Sequence, residues 1–216
     1  MKISDIANIK MNNGLAYILG LIYTRYTQKN ILGKEYIVGN VNHNANKITS
    51  EEIAAHYKDV NNFLKENIDE QLIDLRTNKC SDYTISPKKG FSILIDMEEN
   101  TQEHCETIIN DRINEILGAS EEMKAYFIRG CFDGRASFDT NFHLIALDVE
   151  NNSEKIDMVI KIAKSIGIDI QENSRNTNTQ GKMLQLRVKT ASLNKYMTKV
   201  GFFSIRRRND VESYLN

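Results

Sequence analysis

The residues in this sequence best suited to chemistry are cations and amides, not nucleophiles. From Asn173 onward the chain offers Arg175, Asn176, Asn178, Gln180 and Lys182. Gln185, Arg187 and Lys189 then alternate with Leu184, Leu186 and Val188. Strict alternation puts the polar set on one face of a strand and the apolar set on the other. Arginine and lysine suit guanine edges and phosphates, while asparagine and glutamine suit adenine, so a face of this kind fits a nucleic acid. A second basic run, Arg206-Arg207-Arg208, follows Gly201-Phe202-Phe203 and reads as a phosphate clamp or, failing that, a solvated tail. Cys80, Cys105 and Cys131 are odd in number and far apart, and they lack the paired spacing of a zinc site, so reduced buried thiols are expected. His43, His56, His104 and His143 are scattered and are assigned no chemistry.

The net charge of −1 averages over an asymmetry. Between Lys161 and Arg208 a long series of basic residues is opposed only by Asp169 and Glu172, whereas Asp96 to Glu122 is predominantly acidic. With 216 residues, 41% of them hydrophobic, the chain can bury a full core. No apolar run is long enough to cross a bilayer, and Met1-Lys2-Ile3-Ser4-Asp5 does not open a signal peptide. The expectation is an intracellular protein, cytoplasmic or nucleoid-associated, with no membrane contact. A single proline, Pro87, and no Ser/Gly-rich stretch leave no flexible linker, so any two halves must pack together.

The sequence reads twice. Placing Gly20 over Gly130 sets Ile18-Leu19-Gly20-Leu21-Ile22-Tyr23-Thr24-Arg25 over Ile128-Arg129-Gly130-Cys131-Phe132-Asp133-Gly134-Arg135. After the first copy come an extended stretch (Tyr36 to Val41), a helix capped at Ser50, a hairpin turning at Pro87-Lys88-Lys89-Gly90, and a helix from Thr101 to Leu117. After the second come an extended stretch from Phe142 to Val149, a helix capped at Ser153, a polar hairpin tip from Asn173 to Gly181, and a helix from about Ala191 to Val200. Two αββαββα repeats, residues 1–118 and 119–216, form an α+β single-chain pseudo-dimer. Glycine destabilises a helix, so two in register point to a helix–helix contact, with Gly20 close to Gly130.

The segment Tyr126 to Phe138 resembles the signature helix of the LAGLIDADG homing endonucleases, and Ala16 to Tyr26 is a weaker copy. The resemblance, of the single-chain two-motif type, covers nearly the whole chain. It implies a saddle of two antiparallel sheets lying along a DNA major groove, with the motif helices at the centre. It also implies that an acidic metal ligand should end each helix, and both positions are arginine here, Arg25 and Arg135. An arginine offers no lone pair to magnesium. Asp133 matches an earlier acid of the motif that is not the ligand, and the glycine after the ligand is replaced by Tyr26 and Ala136.

The expected function is therefore binding of double-stranded DNA by a monomer without cleavage or cofactor. Arg25 and Arg135 would contact phosphate or, alternatively, simply face solvent at helix C-termini. A second reading is a Mg2+-dependent nuclease recruiting Asp133, Asp148 and Asp139. A third is a protein-binding or RNA-splicing role using apolar and acidic surfaces. The first-half row matching Gln185, Arg187 and Lys189 is expected to be Leu94, Asp96 and Glu98, poor for a polyanion. Phe142, Leu144, Ala146 and Asp148 are expected to be exposed opposite Ile145, Leu147 and Val149.

Overall fold

The two glycines lie where two helices meet. In the computed structural model, which describes residues 1–44, 48–78, 88–150, 152–177 and 181–216, α2 (Asn13–Tyr23) and α5 (Glu121–Asp133) form the most extensive helix–helix contact. Both have clear N-caps: Asn12 Oδ1 accepts from the Leu15 amide at 2.9 Å, and Ser120 Oγ from the Met123 amide at 3.2 Å. Every residue from Gly14 to Tyr23 is buried, which marks α2 as a central helix and not a surface one. A Cβ at Gly20 would overlap the Phe127 carbonyl oxygen and lie 2.9 Å from the Cys131 nitrogen. At Gly130 it would overlap the Tyr17 carbonyl oxygen and lie 3.0 Å from the Leu21 nitrogen.

Each helix leads into a four-stranded antiparallel sheet. The first has β1 (Tyr26–Ile31), β2 (Lys34–Asn44), β3 (Leu75–Asn78) and β4 (Lys88–Asp96) in the order β1-β2-β4-β3. The second has β5 (Ser137–Asp139), β6 (Leu144–Val149), β7 (Ile170–Thr177) and β8 (Gly181–Val188) in the order β5-β6-β8-β7. One face of each sheet packs on helices through Ile37, Val41, Phe91, Ile93 and Ile95, and through Ile145, Leu147, Val149, Leu186 and Val188. The covering helices include α3 (Ser50–Asn67), α4 (Gln102–Leu117), α6 (Ser153–Ser165) and α7 (Leu193–Lys199). The order αββαββα thus occurs twice, and α1 (Ile3–Asn8) and α8 (Ile205–Leu215) are additions at the two ends. Among the described residues no helix is long and apolar enough to cross a membrane.

Local chemistry shifts several sequence expectations. Ser50 and Ser153 are first helical residues, and the caps stand one position earlier. Thr49 and Glu52 hydrogen-bond each other's backbone amides in a capping box, and Asn152 Oδ1 accepts from the Lys155 amide at 3.1 Å. Lys88, Lys89 and Gly90 belong to β4 and not to a turn, because their ladder with β2 continues to Asn44, while Pro87 lies outside the described residues. Asn173 to Thr177 are paired strand, leaving only residues 178–180 for the tip, outside the described residues. The helix expected from Ala191 is a 3-10 turn until Leu193. Phe142 precedes β6 in a turn.

The close approach of α2 and α5 gives a direct test. Gly20→Val or Gly130→Val must drive a side chain into backbone, so each should lower unfolding free energy by about 1–3 kcal/mol or more. Urea denaturation checks this, and unchanged midpoints would contradict the packing.

Candidate nucleic-acid interface

The sheet faces turned away from the helices carry the polar residues. Register fixes which residues share them: Ser137 pairs with Ala146, Ala146 with Arg187 and Arg187 with Gln171, while Asp148 pairs with Gln185 and Gln185 with Asn173. In the first sheet Thr27 pairs with Val38, and Val38 with Leu94, so Leu94 stands where Arg187 stands in the second. Two residues along, Asn40 pairs with Ser92 and matches Asp148 with Gln185. The first-half row is therefore Ser92, Leu94, Asp96, and Glu98 lies beyond the strand end. Leu94 is buried, contrary to its expected exposure, and so is Ala146, a small side chain flanked by Ser137 and Arg187.

Internal pairing reduces the charge available on these faces. Arg76 is held in a two-point bond to Asp74 at 2.7–2.8 Å, and Lys34 lies 3.6 Å from Asp96. In the second half Lys189 pairs with Asp169 at 2.7 Å. Gln185 is buried, not exposed, because it donates to Asp148 at 2.6 Å and accepts from Arg187 at 2.9–3.0 Å. Arg187 is partly exposed and has no carboxylate partner among the described residues. Arg175 and Asn176 lie further out on the ladder, in register with Met183 and Lys182, and Asn178 is outside the described residues.

At the helix ends stand Arg25 and Arg135, both partly buried and neither with a hydrogen-bonded or ion-paired partner among the described residues. Arg25 lies within electrostatic range of Arg135. Burial, and after it the positive charge of Arg25, pull the Arg135 guanidinium below the ordinary arginine pKa, and Glu150 partly offsets this. Arg135 also lines an open cleft with Asn42, His43, Ser137, Arg206 and Asp210. Neither cation is ion-paired among the described residues, and Glu150 offsets their positive charge only in part. They do not fit a divalent cation, which needs oxygen lone pairs at these positions.

The fallback acids are not brought together. Asp139 caps the β5–β6 turn, accepting from the Asn141 and Phe142 amides at 3.0 and 3.2 Å. Asp148 lies four residues along β6 from Asp139's partner Leu144, about 13 Å at strand spacing. Asp133 is wholly buried. Among the described residues no three His, Cys, Asp or Glu converge on a metal-sized site.

Asp133 is instead the hub of a buried network that the sequence reading missed. Its Oδ2 accepts from the Tyr17 hydroxyl at 3.2 Å and the Phe203 amide at 3.2 Å, and lies 3.4 Å from His56 Nε2. His56 Nδ1 in turn shares a hydrogen bond with His43 Nε2 at 3.0 Å. Arg207 lies 3.9 Å from Asp133 Oδ1 and donates to the carbonyls of Asp133, of Ala136 at 2.8 Å and of Asn42 at 2.8 Å. With 7% exposure, Arg207 is a structural tie between β2, α5 and α8, not a phosphate clamp. Nor do Arg206 and Arg208 form a solvated tail. They belong to the first turn of α8, where Arg206 pairs with Asp210 at 3.0 Å and exposed Arg208 donates to the Phe202 carbonyl at 2.9 Å. Burial raises the Asp133 pKa, but His56, Arg207 and Arg129 more than offset it and hold the carboxyl at about 2. His43 is pushed down to about 2 by burial, then by Arg207 and His56. Cys105 and Cys131 are buried free thiols, and Cys80 lies outside the described residues.

No protein-family model matches the sequence, and no curated protein does. Solved structures do. A mesophilic variant of the homing endonuclease I-DmoI is 14% identical with a TM-score of 0.53, over 92% of this chain and 96% of that one. I-DmoI in complex with DNA and Mn gives 14% identity and a TM-score of 0.50, over 93% and 98%. Full-length DUF199/WhiA from Thermatoga maritima gives 13% identity and a TM-score of 0.54, over 99% of this chain but only 64% of that one. At such identities the likeness concerns the fold: two antiparallel sheets and central helices in the LAGLIDADG saddle arrangement.

The buried network dictates a pH dependence. A histidine held at about 2 in the folded state, against 6.5 ordinarily, stays neutral while the unfolded chain takes up a proton. Its contribution is present above about 6.5 and is lost as pH falls from there toward 2. Asp133, lowered from 3.8 to about 2, adds a second loss at more acid pH. Unfolding free energy should thus begin to fall below pH 6.5, before carboxylates titrate, and His43→Gln should move that onset into the carboxylate range. Urea titrations from pH 7.5 to 3 read it, and a flat profile between pH 7 and 5 would contradict the assignment.

Proposed function

We propose that this protein binds duplex DNA along the two open sheet faces, as a single chain, and does not cleave it. The observation that supports this best is the pair Arg25 and Arg135, close enough to feel each other's charge and neither hydrogen-bonded nor ion-paired among the described residues, in a homing-endonuclease-type saddle. In that setting a phosphate near the helix ends relieves the repulsion between the two guanidiniums, a role a metal between two carboxylates would otherwise fill. Arg187, Lys189, Gln171 and Asn173 continue the surface on the second sheet. Arg206 and Arg208 border the α8 end, whereas Arg207 is engaged internally. Asp96 and the Asp74-paired Arg76 make the first sheet a weaker polyanion surface.

Gel shift on a pool of random 40-base-pair duplexes tests this reading. The protein should bind equally with EDTA or Mg2+ and leave the strands intact. Arg25→Ala with Arg135→Ala should weaken binding about tenfold or more, since a charge-assisted contact contributes roughly 1.5–3 kcal/mol before solvent screening. Neutralising Arg187 and Lys189 should flatten the salt dependence more than neutralising Lys29 and Arg76. Chelator-sensitive cleavage, or no binding at all, would overturn it.

A further inference from the structure

The strand ladders place two large apolar side chains in water at corresponding points. Leu32 and Phe142 each stand twelve positions after a helix glycine, Gly20 and Gly130, and each sits at the apex of the hairpin that leaves its helix. Leu32 is 101% exposed and Phe142 is 68% exposed. Neither residue is one that its turn demands. The loop between the paired Ile31 and Lys34 has positive φ at both Leu32 (53°) and Gly33 (83°), a two-residue turn that favours Asn, Asp or Gly at its first position. A branched apolar residue there is conformationally strained as well as hydrated. Phe142 is presented by a fixed turn: Asp139 holds the Asn141 and Phe142 amides, and the His143 ring stacks on Tyr214 at 4.2 Å.

We propose that Leu32 and Phe142 are paired base-contacting wedges at the two ends of a duplex DNA surface, unstacking base steps and bending the duplex. The inference rests on the preceding reading. Its occupant is identified by shape and polarity. The tips belong to different sheets: Leu32 follows the end of β1, seven residues beyond Arg25 and roughly 20 Å along a strand, and Phe142 lies in the turn of the shorter β5–β6 hairpin beyond Arg135, so one partner reaching both must be elongated. The strand beside Leu32 exposes Gln28, Lys29 and Asn30, and Asn141 is exposed next to Phe142, a polar surround that suits phosphates and base edges and not an apolar protein face. Apolar side chains inserted between base steps from the minor groove kink a duplex and let more surface engage, so the tips are assigned to the minor groove flanking the major-groove face.

The test compares the full chain with Leu32→Asn, Phe142→Ser and the double variant. All three should fold, since both sites are exposed and Asn suits the Leu32 turn. The probe is a 40-base-pair random-sequence duplex carrying donor and acceptor dyes at its ends. The unmodified protein should raise energy transfer on binding. Each single variant should weaken binding about tenfold, the loss expected for one buried apolar side chain, and the double variant should abolish the energy-transfer change. The salt slope should stay unchanged, because no phosphate contact is lost. Variants that bind and bend like the unmodified chain would overturn the wedge proposal while leaving DNA binding intact. Absence of binding by the unmodified chain would overturn both. A dimer in sedimentation that the double variant dissolves would replace DNA with a second copy as the occupant.

Discussion

The contact on which the rest depends is backbone against backbone. The Phe127 carbonyl occupies the space of a side chain at Gly20, and the Tyr17 carbonyl does the same at Gly130. Because α2 and α5 meet this closely, their C-terminal ends converge, and the strands that leave those ends start from one point. Two sheets that share no strand are thereby held together chiefly through one helix pair. The convergence also brings Arg25 within electrostatic range of Arg135 despite their distance in sequence, so their mutual repulsion follows from the two glycines.

That contact was legible because glycine destabilises a helix interior, and its repetition at matched positions points to two backbones in contact. Strand faces were legible where alternation is strict, as at Leu184, Leu186 and Val188. Helix starts were displaced by one residue because Thr49 and Ser50 can both cap. The choice is made by Glu52, whose carboxylate reaches the Thr49 amide at 2.8 Å. The first-sheet row is offset by two residues from the expected one, because ladder register through Thr27 and Ser137 sets the correspondence. Leu32 went unnoticed because nothing in the sequence reports that a leucine is fully exposed.

The histidine network was illegible for a different reason. His43 and His56 are 13 residues apart, His56 and Asp133 are 77 apart, and Arg207 comes from a helix appended after the second αββαββα unit. The corresponding positions of the other half carry no charge: Tyr23 stands for Asp133, and Val159 holds the place in α6 that His56 holds in α3. Matching the halves therefore points away from the network, which exists only where the symmetry is broken.

The break in symmetry bears on the arginine pair. A buried carboxylate and guanidinium are costly to desolvate and pack no better than apolar residues would, so their value lies in fixing one geometry. Arg207 binds the carbonyls of Asp133 and Ala136, which flank Arg135, and the Asn42 amide donates to the Gly134 carbonyl at 2.8 Å. The backbone on both sides of Arg135 is thus clamped, whereas the helix end at Arg25 has an aromatic surround in Tyr23 and Tyr26, with Lys155 about 5.5–5.7 Å from their rings. A backbone that cannot yield holds a guanidinium in place against a nearby like charge. The Asp133–Arg207 tie supplies that rigidity on the Arg135 side, and it links the integrity of α8 to the presentation of the central cation.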